Sequence, residues 1–143
     1  MAQTVGQIGF GTSFGIGDGA SPEVFTLIGE LFAVSPVGAE KPLVDMTHHT
    51  SPNTFKEWLV GVADGTEITC SANFVASDAG QLLVRTTFDA GVQVNMEVTG
   101  PTGAQQETIA FPGIVTAHDV DRPLEDRQVF NFTIKMAGNP TYT

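Results

Sequence analysis

Three segments of the chain alternate between apolar and polar residues, which is the pattern of a strand with one buried face. These segments cover residues 68–74, 92–98 and 130–136. Strands of this one-sided kind are typical of antiparallel sheets. A further strand is predicted over residues 109–117, bent at Pro112-Gly113 because proline cannot donate to a strand ladder.

The region between residues 24 and 50 changes its pattern halfway along. Phe25, Leu27 and Leu31 fall on one face of a predicted strand. Residues 35–50 show no period and contain Pro36, Gly38 and Pro42. Such residues interrupt regular structure, so this region predicts a long loop or an irregular hairpin.

Residues 51–60 carry local signals of a short helix. Ser51 is a suitable N-cap, Pro52 occupies the first helical position, and Gly61 is a suitable C-terminal stop. Three apolar residues fall at helical spacing and predict a stripe that packs into the core: Phe55, Trp58 and Leu59.

Residues 77–90 fit either a helix or a strand. Leu82, Val84 and Phe88 suit a strand with one apolar face, whereas Asp78 as a cap and Gly91 as a stop suit a short helix. We favour the helix, because both of its ends carry the expected residue types.

These elements together predict one small, mainly-β domain. Five or so strands with one apolar face, one or two short helices and a long loop or hairpin are typical of a two-layer antiparallel β-sandwich or a small barrel. Residues 1–22 are rich in glycine and predict a flexible, extended N-terminal arm. Residues 23–143 then form the single β-sandwich domain.

Composition narrows the classes of function. The 143 residues include 16 acidic and 6 basic ones, for a net charge of -10. An acidic surface repels phosphate, which argues against a conventional nucleic-acid binder but suits a channel through which DNA must slide. No apolar run approaches the length of a membrane helix, so no membrane partner is expected.

No set of residues predicts catalysis or a metal. The acidic cluster at Asp119, Asp121 and Asp126 lacks the spacing of a calcium loop and reads as solvated. Cys70 lies on the apolar face of a predicted strand, which indicates a buried thiol rather than a nucleophile. His48 and His49 point to opposite sides of an extended chain, which favours a contact with a neighbouring subunit over a metal site. We therefore expect neither an enzyme nor a cofactor.

The run Val-Asp-Met-Thr-His-His-Thr-Ser-Pro at residues 44–52 resembles a motif of the tail tube (major tail) proteins of long-tailed, non-contractile bacteriophages. In that family a strand ending in Thr and a polar pair leads into Ser-Pro and a short helix. The continuation at residues 56–61 is similar, and residues 111–116 and 129–138 look like the last two strands of the family.

The resemblance implies a virion protein that is synthesised in the bacterial cytoplasm and assembles into stacked hexameric rings. Genome DNA would pass through the lumen during ejection without specific binding. Tape-measure and tail tip or terminator proteins would be further partners. The long loop would reach the next ring, with five candidate inter-subunit contacts: Glu40, Lys41, Asp45, His48 and His49.

Two other functions stay open. One is a tail-completion or terminator protein that makes a single ring. The other is a carbohydrate-binding β-sandwich, which is disfavoured because such modules present exposed aromatic residues. This chain has one Trp and one Tyr, and most of its ten Phe residues fall on predicted core faces or in the arm.

Overall fold

A computed structural model describes residues 6–143, which are mainly β-structure with one α-helix and one short 3-10 turn. The helix α1 is Ala79–Ala90 and the 3-10 turn is Pro52–Thr54. The strands are β1 (Ser13–Gly17), β2 (Phe25–Leu27), β3 (Leu31–Val34), β4 (Ala39–Glu40), β5 (Leu43–Asp45), β6 (Trp58–Val60), β7 (Asp64–Gly65), β8 (Glu67–Asn73), β9 (Val94–Thr99), β10 (Thr108–Asp121), β11 (Val129–Met136) and β12 (Thr141–Tyr142).

One antiparallel sheet carries most of the fold, in the strand order β2-β1-β9-β10-β11-β8-β3 with β12 beside β10. The long strand β10 is shared: residues 108–113 pair with β9, and residues 113–121 pair with β11. The ladder shifts register between Val115 and Ala117, as at a β-bulge, which bends a strand. We call β2, β1, β9 and residues 108–113 of β10 the first half-sheet, and β3, β8, β11 and residues 113–121 the second.

The hydrophobic core lies between these two half-sheets. Phe14 in the first half-sheet packs edge-on against Phe132 in the second, with ring centroids 5.8 Å apart, although two strands separate them in the sheet. The alternating apolar residues of β8 and β11 point to the same core. The predicted mainly-β sandwich is therefore confirmed, because the single sheet folds over to form both layers.

Helix α1 confirms the helical interpretation of residues 77–90. Asp78 caps it by accepting a hydrogen bond from the Gln81 backbone N–H at 3.0 Å, and Gly91 ends it in a left-handed conformation with φ 64°. Val84 is buried in the core, and Phe88 packs edge-on against His118. No helix among residues 6–143 is long and apolar enough to cross a membrane.

The predicted arm is wrong for Ser13–Gly17, which form β1 inside the main sheet. This strand pairs with β2 on one side and β9 on the other, and Phe14 and Ile16 are fully buried. A Cβ at Gly15 would lie 3.2 Å from Phe25, so this glycine permits close packing rather than flexibility. Residues 1–5 of the predicted arm lie outside the described residues.

The helix predicted over residues 51–60 is also wrong. Only the turn Pro52–Thr54 is helical, and it is broken by Asn53 with φ 55°. Trp58–Val60 is strand β6, and the predicted core stripe points into solvent, with Phe55 74% exposed. The caps and the spacing are local signals, whereas the strand forms through pairing with the distant β5.

Candidate self-assembly surface

A long hairpin, residues 39–65, connects β3 to β8. Its first arm lies in the region 35–50 predicted as a long loop or irregular hairpin, and its second arm includes part of the segment predicted as a helix. Its two arms pair through β4 with β7 and through β5 with β6. Between these short ladders, the Gly61 N–H donates to the Pro42 carbonyl at 2.7 Å. Beyond β5 the ladder continues as the Met46 N–H donates to the Glu57 carbonyl at 2.8 Å.

Both faces of this hairpin carry apolar side chains. Leu43 lies opposite Val60 on one face, and Val44 lies opposite Leu59 on the other. Six apolar side chains of the two arms are between 47% and 62% exposed: Leu43, Val44, Met46, Trp58, Leu59 and Val60. Exposed apolar side chains that are clustered in this way are typical of interaction sites.

A two-stranded hairpin alone is marginally stable in water. Covering one of these Val or Leu side chains would contribute about 1.5–3 kcal/mol if the side chain became fully buried. Since the apolar residues occupy both faces, one neighbouring surface cannot cover all of them. The hairpin therefore suits insertion between two surfaces, or between two copies of the chain.

The tip of the hairpin is held in shape by its own polar residues. Ser51 Oγ donates to Glu57 Oε2 at 2.7 Å and accepts from the His48 N–H at 3.0 Å. His48 Nε2 lies 3.2 Å from the same Glu57 oxygen. Thr47 Oγ1 accepts from the Glu57 N–H at 2.9 Å, and Thr50 Oγ1 contacts His48 Nδ1. This network gives the exposed tip a defined conformation before any partner binds.

The structure places all five predicted contact residues on the exposed hairpin, but with different roles. His48 belongs to the tip network, and Asp45 Oδ1 accepts from the Thr47 N–H at 2.9 Å. The side chains of Glu40, Lys41 and His49 make no hydrogen bond or ion pair within residues 6–143. Those three side chains are therefore free to meet a partner.

Hydrogen bonds to Thr47, first through its side chain and then through its backbone, lower the pKa of Asp45 below the usual 3.8. A lowered pKa means that the folded tip favours the charged carboxylate. The stabilisation that the Asp45 carboxylate gives is complete above its usual pKa in the unfolded chain. It is lost as the pH falls through the lowered pKa of the folded state. The tip conformation is thus insensitive to this carboxylate near neutral pH.

Sequence reasoning missed the apolar residues that dominate this surface. It assigned Trp58 and Leu59 to the core, although a signal was present in the continuous apolar run Trp58–Val60. Such runs are typical of strands that are covered on both faces. In this chain, the residues that the structure describes do not cover the two faces of Trp58–Val60.

The second half-sheet leaves two backbone edges unpaired among residues 6–143. Strand β3 pairs only with β8, and residues 114–121 of β10 pair only with β11. Strand β3 also lines an open groove of about 740 Å³, whose other wall is Gly9–Thr12. Unpaired edges template the addition of further strands.

The other candidate residues show ordinary structural roles. Cys70 is buried, and burial raises the pKa of its thiol to about 12, which suppresses the reactive thiolate. Asp119 accepts a hydrogen bond from Asn131 at 2.9 Å. Within the described part of the chain, no three His, Cys, Asp or Glu residues are grouped to hold a metal ion.

No protein-family model and no curated protein sequence matches the chain. Solved structures do match. A chain from the virion of a native gene transfer agent particle has a TM-score of 0.74 and 19% identity, covering 96% of this chain and 99% of that chain. A chain of the SPP1 tail tube has a TM-score of 0.70 and 11% identity, covering 95% of this chain and 78% of that one.

A chain from the sheath/tube terminator of an extracellular contractile injection system has a TM-score of 0.75 and 10% identity, covering 99% of both chains. At these identities the likeness shows the fold. The chain thus has the fold found in chains of tail tube and injection-tube assemblies, and the fold expected from the sequence resemblance is confirmed.

Proposed function

We propose that this chain is a structural protein of a virion tail tube, in which copies form hexameric rings that stack into a channel for genome DNA. The observation that carries the proposal is the long hairpin, residues 39–65, whose apolar side chains lie uncovered on both faces. Structures of similar fold come from a particle tail described with C6 symmetry and from a tail tube, which supports the same arrangement.

Ring formation would use the two free edges of the second half-sheet. Its strands β3, β8, β11 and β10 are each antiparallel to the next, so the two outer strands run in opposite directions. The free edge of β10 in one copy can therefore pair with β3 of the next copy in the antiparallel sense. Repetition around a closed ring would leave no strand edge of the second half-sheet exposed.

Stacking would use the long hairpin. It leaves the second half-sheet between β3 and β8 and presents apolar residues on both faces to copies in an adjacent ring. Glu40, Lys41 and His49 would add polar contacts at this interface, whereas Asp45 and His48 would shape the tip. Obligate interfaces of this type typically bury about 2,000 Å² or more.

The outer face of the second half-sheet would line the channel. It carries small polar residues, joined as Ser71 Oγ donates to Asn131 Oδ1 at 2.7 Å, and the charge of Lys135 on this face is paired with Asp64. The acidic Asp119 lies beside them. A wall of this composition offers DNA phosphates little attraction, so the duplex can slide.

Purified protein tests the central proposal. We expect electron microscopy to show long hollow tubes of uniform width, and sedimentation to show a concentration-dependent polymer. A protein that stays monomeric at every concentration, with its hairpin exposed, would rule out self-assembly.

The channel wall has its own test. Asp119→Lys in particles should slow DNA ejection, because six lysines per ring would hold passing phosphates. Glu97→Lys, on the outer face of the first half-sheet, is the matched control. Equal ejection rates for the two variants would contradict the assignment of this face to the channel.

A second candidate is a terminator protein that makes one ring at the end of a tube. The match to a chain from a sheath/tube terminator structure favours it, since that match covers 99% of both chains. The same micrographs separate the candidates, because a terminator forms discrete rings and a tube protein forms long polymers.

A further inference from the structure

We propose that Lys135 is a positioning residue that locks the long hairpin at a fixed angle to the sheet, so that the hairpin is aimed before it meets the next ring. This inference rests on the proposed function of the hairpin. It concerns the base of the hairpin, residues 64–66 and their partners, rather than the apolar arms or the tip.

The first observation is a pair of hydrogen bonds from one side chain. Lys135 Nζ donates to Asp64 Oδ1 at 3.1 Å and to the Gly65 carbonyl at 2.6 Å. Asp64 and Gly65 form β7, in the hairpin, whereas Lys135 lies near the end of β11, in the sheet. The lysine therefore joins the hairpin to a strand that is not its neighbour in sequence.

The second observation is the close approach of Gly65 to the next residue of β11. A Cβ at Gly65 would lie 2.5 Å from the Cβ of Met136, so only glycine allows this contact. Lys135 and Met136 thus touch the same short strand, one through polar atoms and one through packing. Two contacts from adjacent residues of one strand restrict rotation of the hairpin base.

The remaining bonds at the base act within the hairpin itself. The Thr66 N–H donates to the Gly38 carbonyl at 2.9 Å, and Thr66 Oγ1 accepts from the Gly38 N–H at 3.1 Å. These bonds hold the two arms to each other. They would allow both arms to swing together about residues 35–38 and 66, and the Lys135 bonds oppose that swing.

Exposed ion pairs contribute little to global stability. The Lys135 and Asp64 side chains are 39% and 69% exposed, so the pair is of this kind. A role in overall stability therefore explains little about this lysine. A role in fixing the orientation of the hairpin explains more, because a small rotation at the base of the hairpin moves its distant tip by a much larger distance.

The test compares Lys135→Met with the wild-type protein and with Lys135→Arg, which keeps a charged donor. Lys41→Met is the matched control for hydrogen exchange only, since Lys41 is exposed on the same hairpin and makes no bond there in the unassembled protein. Hydrogen exchange on unassembled protein is measured at residues 39–65 and in the sheet. Tube yield is then measured by sedimentation.

We expect Lys135→Met to raise exchange at the hairpin base by about tenfold or more, with exchange in the sheet unchanged. Its tube yield should fall well below that of the wild type at equal concentration. Lys135→Arg should keep both hydrogen exchange and tube yield at the wild-type values. Lys41→Met should leave hydrogen exchange in the hairpin unchanged. Asp64→Asn removes the ion pair but keeps the bond to Gly65, so its effect should be intermediate.

Wild-type exchange and wild-type tube yield in Lys135→Met would overturn the positioning role. Exchange that rises throughout the sheet would also overturn it, since that would indicate a general loss of stability. If the wild-type protein forms no tubes, the proposed function fails instead, and the exchange measurements on unassembled protein still decide the role of Lys135.

Discussion

Phe14 shows how one side chain determines the role of a glycine-rich segment. Its ring is fully buried and packs against both Phe111 and Phe132, with centroids 6.4 Å and 5.8 Å away. The glycines on either side have no side chain to bury, so composition alone predicts flexibility. The burial of Phe14 instead fixes this stretch as a strand in the core.

Phe14→Ala should therefore lower the free energy of unfolding by about 3–5 kcal/mol, because it removes a buried ring and leaves a cavity. Chemical denaturation followed by circular dichroism measures the change. Phe10→Ala is the matched control, since Phe10 is 87% exposed and its loss should change stability by about 0.5 kcal/mol or less. Equal effects from the two variants would show that residues 13–17 behave as an arm.

At the scale of elements, the correct predictions are those for which the local sequence pattern agrees with the burial of the side chains. The strands β8 and β11 alternate cleanly because one face of each packs on the core. Helix α1 has its cap and its stop at the expected positions. These strands and this helix can be predicted from the local spacing of apolar residues and from the residues at the helix ends, and both are visible in a single sequence.

The helix predicted over residues 51–60 was wrong because part of this segment pairs with a distant strand. Residues 51–60 carry a cap, an N-terminal proline and helical spacing, yet Trp58–Val60 form a strand because they pair with β5. The apolar spacing predicted a core stripe, whereas these side chains are exposed. The pairing of two distant segments does not appear in the local pattern of either one, so the cap and the spacing pointed to a helix.

A further prediction concerns Leu59, one of the exposed apolar residues of the hairpin. Leu59→Ser should leave the fold intact, because Leu59 is exposed, but should reduce tube formation by removing apolar area from the proposed stacking interface. Sedimentation measures polymer yield, and thermal unfolding checks the fold.

Leu82→Ser, on the exposed side of α1, is the control for loss of a comparable surface leucine. It should form tubes at the wild-type yield. Normal tubes from Leu59→Ser would show that this face of the hairpin is not a stacking surface.

At the scale of the whole molecule, the net charge of -10 and the free strand edges act in opposite directions. Like-charged copies repel each other, and salt screens this repulsion. The backbone edges and the apolar hairpin favour association. The proposed ring interface carries acidic residues on one side only, because the β10 edge includes Asp119 and Asp121 whereas Leu31–Val34 of β3 contains no charged residue.

The proposed pairing of β3 with β10 of the next copy can be tested by crosslinking. With Ala33→Cys in β3 and Ala117→Cys in β10, a short thiol crosslinker should convert assembled tubes into covalent oligomers of up to six copies. Denaturing gels would show them as a ladder. The natural Cys70 should give no background, because it is buried and its thiol pKa is raised to about 12. Ala33→Cys with Ala90→Cys, at the exposed end of α1, is the control and should yield no ladder. A ladder from the control alone would mean that the ring closes through a different edge, and the channel would then be lined by a different face of the sheet.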